Sequence, residues 1–516
     1  MIKYKEYPQH QYVLLPPSLE ELIDPKHLVR IIDKFVNSLS KTIWDRAFTG
    51  GGAPSYHPQM MLKIILYAYS CKIYSCRDIA RAVRQDVTFM WLTGMKQPNF
   101  NTINRFRSDY FKDIIEEVFT ELLDLLKQKN YVTFSDFFVD GTKLEADARR
   151  YSHVWAKNTE RYKEAVQKRV KQLLADIDTL NLEEDKKYGD SDLPERGESA
   201  DITSQEIEDV AKNLSDRLTE TADKEQTKTL TRTIKKLETE SEKLAKYEQQ
   251  EHLLNGRNSY SKTDPDATFM RLKDDQLRAA YNVQISTENQ FVTNYSISQN
   301  ASDSAAFVDH LEKIINRGQQ YLPDNYMGDS AYGTDENYTK LEKNNINNYF
   351  KYNTFHRDQK GKTKEIPFHH DNFIYNEADD TFICPIGKRL YYQETVERES
   401  KTGFISYVRK YECEDCSQCI FKQQCTKTAG NRTLYYNPAL EQHKARARDN
   451  LNSEHGIELR RRRGFEVETP FGDIKHNRSF RRFHLRGLPK VENEFGLLCI
   501  GYNFRKIALK EMKKAA

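Results

Sequence analysis

Apolar residues recur every three or four positions through the first quarter of the chain, which is the spacing of helices that bury one face. The segments with this spacing, separated by Gly94, Pro98 and other breakers, are residues 19–39, 58–73, 75–91, 100–107 and 110–127. Residues 1–130 are therefore predicted to form a helical domain. A helix-turn-helix-like DNA-binding bundle and an ordinary helical bundle are equally good interpretations of its short, arginine-bearing helices, with Arg77, Arg81, Arg84, Arg105 and Arg107.

The pattern changes to that of a strand at Phe134–Thr142 and is then interrupted by a long polar stretch, residues 156–258. Two groups of apolar residues in this stretch keep a helical spacing: Val166, Val170, Leu173, Leu174 and Ile177, and then Leu230, Ile234, Leu237 and Leu244. They predict an antiparallel helical hairpin or short coiled coil with a flexible tip near residues 189–199. A disordered linker is the alternative interpretation, because the stretch is highly charged.

Strand and helix patterns alternate after this first insertion. They predict a hairpin of strands 280–286 and 291–298, a helix at 304–316, a strand ending at Asp329, a helix at 334–343, a strand at 348–352, and helices at 439–463 (with a break at Gly456) and 494–510. A second insertion, residues 355–435, is rich in Cys, His and short strand-like runs. Without the two insertions, the order is strand, hairpin, helix, strand, helix, strand, helix, which is the order of an RNase H-like fold.

The predicted fold class is therefore α/β. An RNase H-like core of the retroviral integrase type carries two insertions and follows an all-helical N-terminal domain. The first part of the core would comprise residues 131–155 and 259–354, and the basic segment 436–516 would complete it. The insertions would be a helical hairpin at 156–258 and a cysteine-rich segment at 355–435.

Three carboxylates lie where such a core would carry chemistry. Asp140 and Asp329 each follow an apolar, strand-like run, and Glu468 follows the four arginines Arg460–Arg463. Strand ends in mixed α/β sheets are the expected position for catalytic groups. Mg²⁺ needs only a few carboxylates, and ions on shared carboxylates can act on a phosphodiester. Glu466 is the alternative to Glu468 as the third acid.

Charge is distributed unevenly along the 516 residues, although the net charge is only +3. Residues 441–516 contain 18 Lys and Arg against 10 Asp and Glu. Clustered Lys and Arg attract a phosphate backbone, and the apolar residues between them distinguish this segment from a solubilising tail. The chain has no apolar run long enough for a membrane span, and its N-terminus lacks the apolar core of a signal peptide, so a cytoplasmic location is predicted.

Cysteines at that location are predicted to be thiols or metal ligands rather than disulfides. Four are closely spaced and a fifth, Cys384, lies upstream; the four are Cys413, Cys416, Cys419 and Cys425. Closely spaced thiolates suit tetrahedral Zn²⁺, so these four predict a structural zinc site, and at least one of the five cysteines would be spare. Reduced cysteines without a metal are the alternative.

Ten short motifs occur in order along nearly the whole chain. They are Gly52–Pro58, Ser75–Ile79, Thr102–Arg107, Val139–Lys143, Thr263–Ala267, Tyr281–Gln284, Gly328–Gly333, Val467–Lys475, Phe480–Phe483 and Arg486–Gly487. Together they resemble the DDE transposases of bacterial insertion sequences, in the branch with a helical N-terminal domain. The C-terminal motifs are the most specific.

The resemblance implies that Asp140, Asp329 and Glu468 are the DDE catalytic triad. They would hold two Mg²⁺ ions, with Mn²⁺ as a substitute, and the enzyme would cleave DNA at transposon ends and transfer the strands into target DNA. Double-stranded DNA would be the partner, as terminal inverted repeats and as target. A homodimer or larger synaptic assembly, associated with the nucleoid, is also implied, and the helical insertion is a candidate for pairing the ends.

The same resemblance implies DNA contacts near the third acid. Lys475 follows Glu468 by seven residues, on the same helix face, and would touch the backbone of the transposon end. The family often has an arginine four residues before the glutamate, whereas this chain has Gly464 there and Arg463 beside it, so the role of that arginine stays open. Phosphate contacts are further predicted for Arg463, Arg478, Arg481, Arg482, Arg486, Arg105 and Arg107, with a solvated basic face as the alternative.

Two other functions remain open at this point. One is a catalytically inactive DNA-binding protein derived from a transposase. The other is an RNase H-like nuclease without strand transfer. Intact acids at all three triad positions argue against the first, and only a product assay separates the second.

Overall fold

The computed structural model describes residues 18–47, 56–188, 202–218, 224–362, 365–400 and 402–514. The fold is mixed α/β, with a helical N-terminal region and sheets. The chain divides into two compact units, one formed by residues 1–144 and 282–516 and the other by residues 145–281. The predicted tip at 189–199 and residues 52–55 of the first motif lie outside the described residues.

Helices occupy the N-terminal part of the larger unit. They are α1 (Leu28–Ser38), α2 (Lys41–Ala47), α3 (Pro58–Ser70), α4 (Cys76–Gln85), α5 (Val87–Thr93), α6 (Phe100–Arg105) and α7 (Ile115–Gln128). The segment predicted as one helix at 75–91 forms two, because Asp86 has extended backbone angles and its side chain accepts the N–H of Thr88 to begin α5. A π-helical turn, Phe106–Tyr110, continues α6.

Strand β1 (Asp136–Glu145) leads into the smaller unit. This unit contains β2 (His153–Trp155), α8 (Ala156–Tyr188), α9 (Ser204–Leu218), α10 (Lys224–Leu254), β3 (Ser259–Ser261) and β4 (Thr268–Arg271). The stretch predicted as a two-helix hairpin therefore has a further helix, α9, whose Ile207 and Leu214 pack in the same apolar cluster as Val170 and Leu237. Burying these side chains offsets the entropy of ordering such a polar segment.

The chain continues through β5 (Leu277–Glu288), β6 (Phe291–Ser298), α11 (Asp303–Arg317), β7 (Asn325–Gly328), α12 (Asp335–Lys343) and β8 (Asn347–Phe350). The strand order is β6–β5–β1–β7–β8, and the first part of β5 also pairs with β4. β5 and β6 form an antiparallel hairpin, whereas β1, β7 and β8 are parallel. These elements agree with the predicted order and differ from the predicted bounds by a few residues.

The second insertion is built around an antiparallel sheet. Its elements are α13 (Phe355–Gln359), β9 (Ile374–Asn376), β10 (Thr381–Ile383), β11 (Arg389–Glu399), β12 (Ile405–Cys413), α14 (Lys422–Cys425) and β13 (Thr433–Tyr436), with strand order β9–β10–β11–β12–β13. Phe382, Leu390, Tyr411 and Leu434 form its buried core. We call residues 373–436 the cysteine-rich sheet.

Three helices complete the chain: α15 (Pro438–Asn452), α16 (Glu454–Gly472) and α17 (Leu488–Lys514). The break predicted at Gly456 lies at Ser453, whose hydroxyl caps α16 by accepting the N–H of Gly456 at 3.0 Å. α17 is buried along most of its length and packs against both α3 and β6. The described residues of the predicted N-terminal domain, 18–47 and 56–130, therefore belong to the same compact unit as the main sheet. Across the described residues, no helix combines the length and the apolar character that a membrane crossing needs.

Candidate active site

The sheet brings two of the predicted acids to the same level. β1 and β7 are parallel neighbours, with Phe138 opposite Met327. Two residues further along each strand, Asp140 comes level with Asp329. Because side chains alternate along a strand, both carboxylates lie on the same sheet face as Phe138 and Met327, the face that α16 covers.

A guanidinium group lies between these two aspartates. Nη2 of Arg463, on α16, is 3.6 Å from Oδ1 of Asp140 and 3.5 Å from Oδ2 of Asp329. The Arg463 side chain is only 18% exposed, so its charge acts on the carboxylates with little screening. Arg463, predicted as a DNA contact, is thus placed as the counter-ion of the acidic pair.

The carboxyl of Asp140 is electrostatically strained. Burial raises its pKa from 3.8 to about 6; Arg463 opposes the rise, and Asp329 and Asp303 add to it. One arginine therefore compensates this concentration of negative charge only in part. A carboxylate pair of this kind fits a divalent cation, because hard oxygen ligands suit Mg²⁺ and the ion would relieve the repulsion.

A third aspartate, Asp303, lies next to this pair and was not predicted. Its Oδ1 accepts hydrogen bonds from Nδ2 of Asn282 at 2.8 Å and from Nε2 of Gln284 at 2.9 Å. The buried hydroxyl of Tyr332 donates to Oε1 of Gln284. This network holds the negative charge of Asp303 beside Asp140. The signal in the sequence was the motif at 281–284, which places two amides on one face of β5.

Lys475 reaches the part of β1 just beyond Asp140. Its Nζ donates to Oγ1 of Thr142 and, at 3.2 Å, to the backbone carbonyl of Lys143. Thr142 follows Asp140 by two residues, so the lysine lies on the side of the sheet that carries the acids. Close packing requires a glycine at position 141, between Asp140 and Thr142, because a Cβ on Gly141 would collide with the amide network around Asp303.

The two candidate glutamates on α16 have different environments. Glu466 is buried, and its Oε2 accepts the backbone N–H of Gln290 at 2.6 Å while its Oε1 lies 3.4 Å from Nη2 of Arg462. Burial raises the pKa of Glu466. Glu468 is exposed, and its carboxylate makes no hydrogen bond or ion pair with another described residue. Glu466 is committed to the fold, so Glu468 is the acid that a ligand can reach.

The carboxylates of the three candidate acids do not all lie as close to one another as the ligands of a single metal ion would. In the described part of the chain, His369, His370 and Asp371 are the only three His, Cys, Asp or Glu side chains whose donor atoms all lie within 4.8 Å of one another. These three are consecutive, partly exposed, and pair among themselves. Their proximity follows from their adjacency in the chain, and none of them belongs to the acidic pair.

Two family models match the chain. Residues 17–109 match the model described as Transposase domain (DUF772), and residues 383–508 match the model described as Transposase DDE domain. The resemblance to DDE transposases is confirmed. The matches imply an enzyme that binds, cleaves and transposes DNA and depends on a divalent metal. No curated protein matches the chain.

The DDE match covers only part of the candidate transposase site. It contains Glu468, Arg463 and Lys475, whereas Asp140 and Asp329 lie outside it. What the structure shows of these two aspartates is that strand register and a shared arginine place them side by side.

Two arginines predicted to contact DNA are buried in this chain. Arg107 donates to the hydroxyl of Tyr69 at 3.1 Å and to the carbonyl of Tyr74 at 2.9 Å. Nε of Arg478 lies 2.6 Å from Asp473, and the Arg478 side chain is fully buried. Both arginines join α3 and its neighbours to other parts of the core, so neither can reach a phosphate as placed. Sequence composition favoured a surface position because Arg is rarely buried without partners.

The other predicted DNA contacts are at the surface. Arg105, Arg481, Arg482 and Arg486 are exposed. Their surface positions are compatible with the predicted phosphate contacts.

The predicted zinc ligands lie together in the cysteine-rich sheet. All eight cysteines of the chain are free thiols. One cavity of about 20 Å³ is lined by five of them, Cys384, Cys413, Cys416, Cys419 and Cys425. The upstream Cys384 thus joins the four that the spacing singled out.

Proposed function

We propose that this transposase cleaves DNA at the ends of its transposon and joins the freed 3′ ends to target DNA, with Asp140, Asp329 and Glu468 as its metal-binding acids. The observation that carries the proposal is the acidic pair on adjacent parallel strands, bridged by Arg463. The same helix, α16, carries both Arg463 and Glu468.

The strand order supports an RNase H-like core as the scaffold. An antiparallel hairpin, β5–β6, lies on one side of β1, and parallel strands β7 and β8 lie on the other. In the sequence, the helical insertion lies between β1 and β5, and the cysteine-rich sheet lies between β8 and α15. Both insertions therefore leave the strands that carry the acids adjacent.

The acidic pair and Glu468 would hold two Mg²⁺ ions, or Mn²⁺ in their place. Bound there, the metal would stabilise charge on the attacking and leaving oxygens of the phosphodiester. Arg463, released from the two aspartates, would then pair with a DNA phosphate. Asp140 would enter the reaction ionised, because a cation beside it favours loss of its proton.

DNA would lie along the exposed basic residues near the acids. Lys475 is anchored beside β1, and the exposed arginines Arg481, Arg482, Arg486 and Arg105 would extend a positive surface from it. These contacts would position the backbone without reading its sequence. A homodimer or larger assembly on paired ends belongs to this proposal, and deleting residues 167–247 and measuring the size of the protein–DNA complex tests the part played by the helical insertion.

Cleavage of a labelled duplex containing the DNA that flanks the gene tests the reaction. The intact protein is compared with Asp329→Ala, in Mg²⁺ and in Mn²⁺. Asp324→Ala is the matched control, because this exposed aspartate lies just before the other end of the same strand, β7. We expect Asp329→Ala to bind DNA as the intact protein does but to lose cleavage by at least a hundredfold, while Asp324→Ala cleaves normally.

Other outcomes separate the alternatives. Equal cleavage by Asp329→Ala and the intact protein would overturn the assignment of the acid. Binding without cleavage by the intact protein would favour a catalytically inactive DNA-binding derivative. A second assay supplies pre-cleaved ends and a target plasmid; cleavage without joining there would indicate a nuclease.

A further inference from the structure

Five thiols converge at one end of the cysteine-rich sheet although they come from four separate segments. Cys384 directly follows β10, Cys413 ends β12, Cys416 and Cys419 lie in the following turn, and Cys425 ends α14. All five line a cavity of about 20 Å³. No three of these described sulphurs lie within 4.8 Å of one another, so an ion bound here would draw them inward. A single water needs roughly 10–15 Å³, so the cavity has room for one water molecule or one ion and no more.

Backbone N–H groups are aimed at two of these sulphurs. The N–H of Lys388 donates to Sγ of Cys384 at 3.2 Å, and the N–H of Arg432 donates to Sγ of Cys416 at 3.4 Å. Contacts of this kind hold a ligand atom in position. The first forms in a tight turn that Gly387 makes possible with a φ of +88°. The backbone therefore fixes the positions of these two sulphurs.

Cationic side chains surround the same cavity. Lys388, Lys422 and Arg432 line it together with the cysteines. The buried Nε of Arg432 has no hydrogen-bond partner among the described residues, and its guanidinium lies over the ring of Phe373. The ammonium groups of Lys388 and Lys422 already have partners, in Asp415 and in the carbonyl of Ala429, so Arg432 is the cation of this lining with an unused donor. Four thiolates around a divalent ion carry two net negative charges, which Arg432 would balance in part.

We propose that Cys384, Cys416, Cys419 and Cys425 bind one structural Zn²⁺ and that Cys413 is the spare cysteine. The sulphur of Cys425 lies within electrostatic range of the sulphurs of the other three ligands.

Cys413 is fixed within a strand. It pairs with Leu390 in the sheet and, at 3% exposed, is the most buried of the five; Cys416, which shares the core with Tyr411 and Leu434, is 7% exposed and lies in the turn after the strand. Close spacing in the sequence favoured Cys413, whereas the fold favours Cys384.

Such an ion would close the base of the long β11–β12 hairpin. It would join the turn after β10 to the segment between β12 and β13, and metal-binding free energy would then contribute directly to folding of the sheet. The proposal concerns this sheet alone and does not depend on the DNA reaction.

Metal content of the full-length protein, purified from zinc-supplemented cells and measured by mass spectrometry, tests the proposal. We expect one Zn²⁺ per chain. Replacement by Co²⁺ should give the absorption of a tetrahedral site with four sulphur ligands. This measurement uses the unaltered protein, so misfolding of a variant cannot obscure it.

Serine variants then test the ligand set. Cys384→Ser should lose at least nine-tenths of the bound metal, whereas Cys413→Ser and the control Cys71→Ser, whose cysteine lies on the surface after α3, should keep it. A protein that takes up neither Zn²⁺ nor Co²⁺ would overturn the site. Loss of metal in Cys413→Ser with retention in Cys384→Ser would overturn the proposed ligands.

Discussion

Replacing Asp140 by Asn should stabilise the metal-free protein, because the native carboxylate is ionised at a cost. Burial, opposed by Arg463 and reinforced by Asp329, raises the pKa of Asp140 from 3.8 to about 6. A carboxyl with a raised pKa in the folded state holds its proton more tightly than in the unfolded chain. Its penalty is therefore absent below about pH 4, develops as the pH rises, and is complete above about pH 6.

The size of this penalty follows from the shift. One pKa unit corresponds to about 1.4 kcal/mol, so a rise of about two units amounts to about 3 kcal/mol at neutral pH. The Asp140 side chain is 26% exposed, and solvent screening makes this an upper value. Asparagine resembles the protonated acid in shape and has no charge. Asp140→Asn should thus gain about 1–3 kcal/mol at pH 7.5 and nothing near pH 4.

Denaturant unfolding in EDTA, repeated between pH 4 and pH 8, measures this gain. Asp113→Asn is the matched control, because it removes the same charge at an exposed position. Adding Mg²⁺ should then raise the melting temperature of the intact protein more than that of Asp140→Asn, because ligand binding stabilises only the state that binds it.

Two results would refute this reasoning. One is an Asp140→Asn protein no more stable than the intact protein at pH 7.5 in EDTA. The other is a gain that persists unchanged at pH 4, since that would show that packing, not ionisation, changed. Either result would remove the electrostatic argument for a cation at the acidic pair.

Three further predictions follow from neighbouring contacts. Arg463→Gln removes the cation between the two aspartates, so the metal-free protein should bind Mg²⁺ severalfold more tightly, as measured by calorimetry, while DNA cleavage falls. An unchanged affinity for Mg²⁺ would contradict the counter-ion role. Glu466→Ala leaves the N–H of Gln290 without its acceptor and should lower the free energy of unfolding by about 1–3 kcal/mol. Glu468→Ala should leave stability unchanged and abolish cleavage. The reverse pattern would exchange the roles of the two glutamates. Leu237→Ala opens a cavity in the helical insertion and should cost about 2–5 kcal/mol, detected as faster proteolysis within residues 156–258; an unchanged digestion pattern would show that this cluster does not hold the helices together.

Local features of the chain were readable from local patterns. The spacing of apolar residues predicted the helices of the N-terminal region and the hairpin of β5 and β6. Asp140 and Asp329 were singled out because each follows a short apolar run. Such signals depend on neighbouring residues alone, and so they survive without knowledge of the fold.

Features that depend on packing were not readable in this way. The first insertion has a helix, α9, that the spacing of apolar residues did not predict. Arg107 and Arg478 were expected at the surface, but partners distant in sequence satisfy their charges in the interior. Asp303 was overlooked because its importance comes only from the strand beside it.

The sequence by itself determined the order of the elements, the resemblance to DDE transposases and the candidate acids, since periodicity and short motifs are properties of neighbouring residues. Only the tertiary structure decided what those side chains meet. It placed Arg463 between two aspartates, anchored Lys475 beside β1, buried Glu466 while leaving Glu468 exposed, and brought Cys384 to the other cysteines. The physical reason is that charge compensation, burial and ligand geometry depend on distances between residues far apart in the chain, and packing sets those distances.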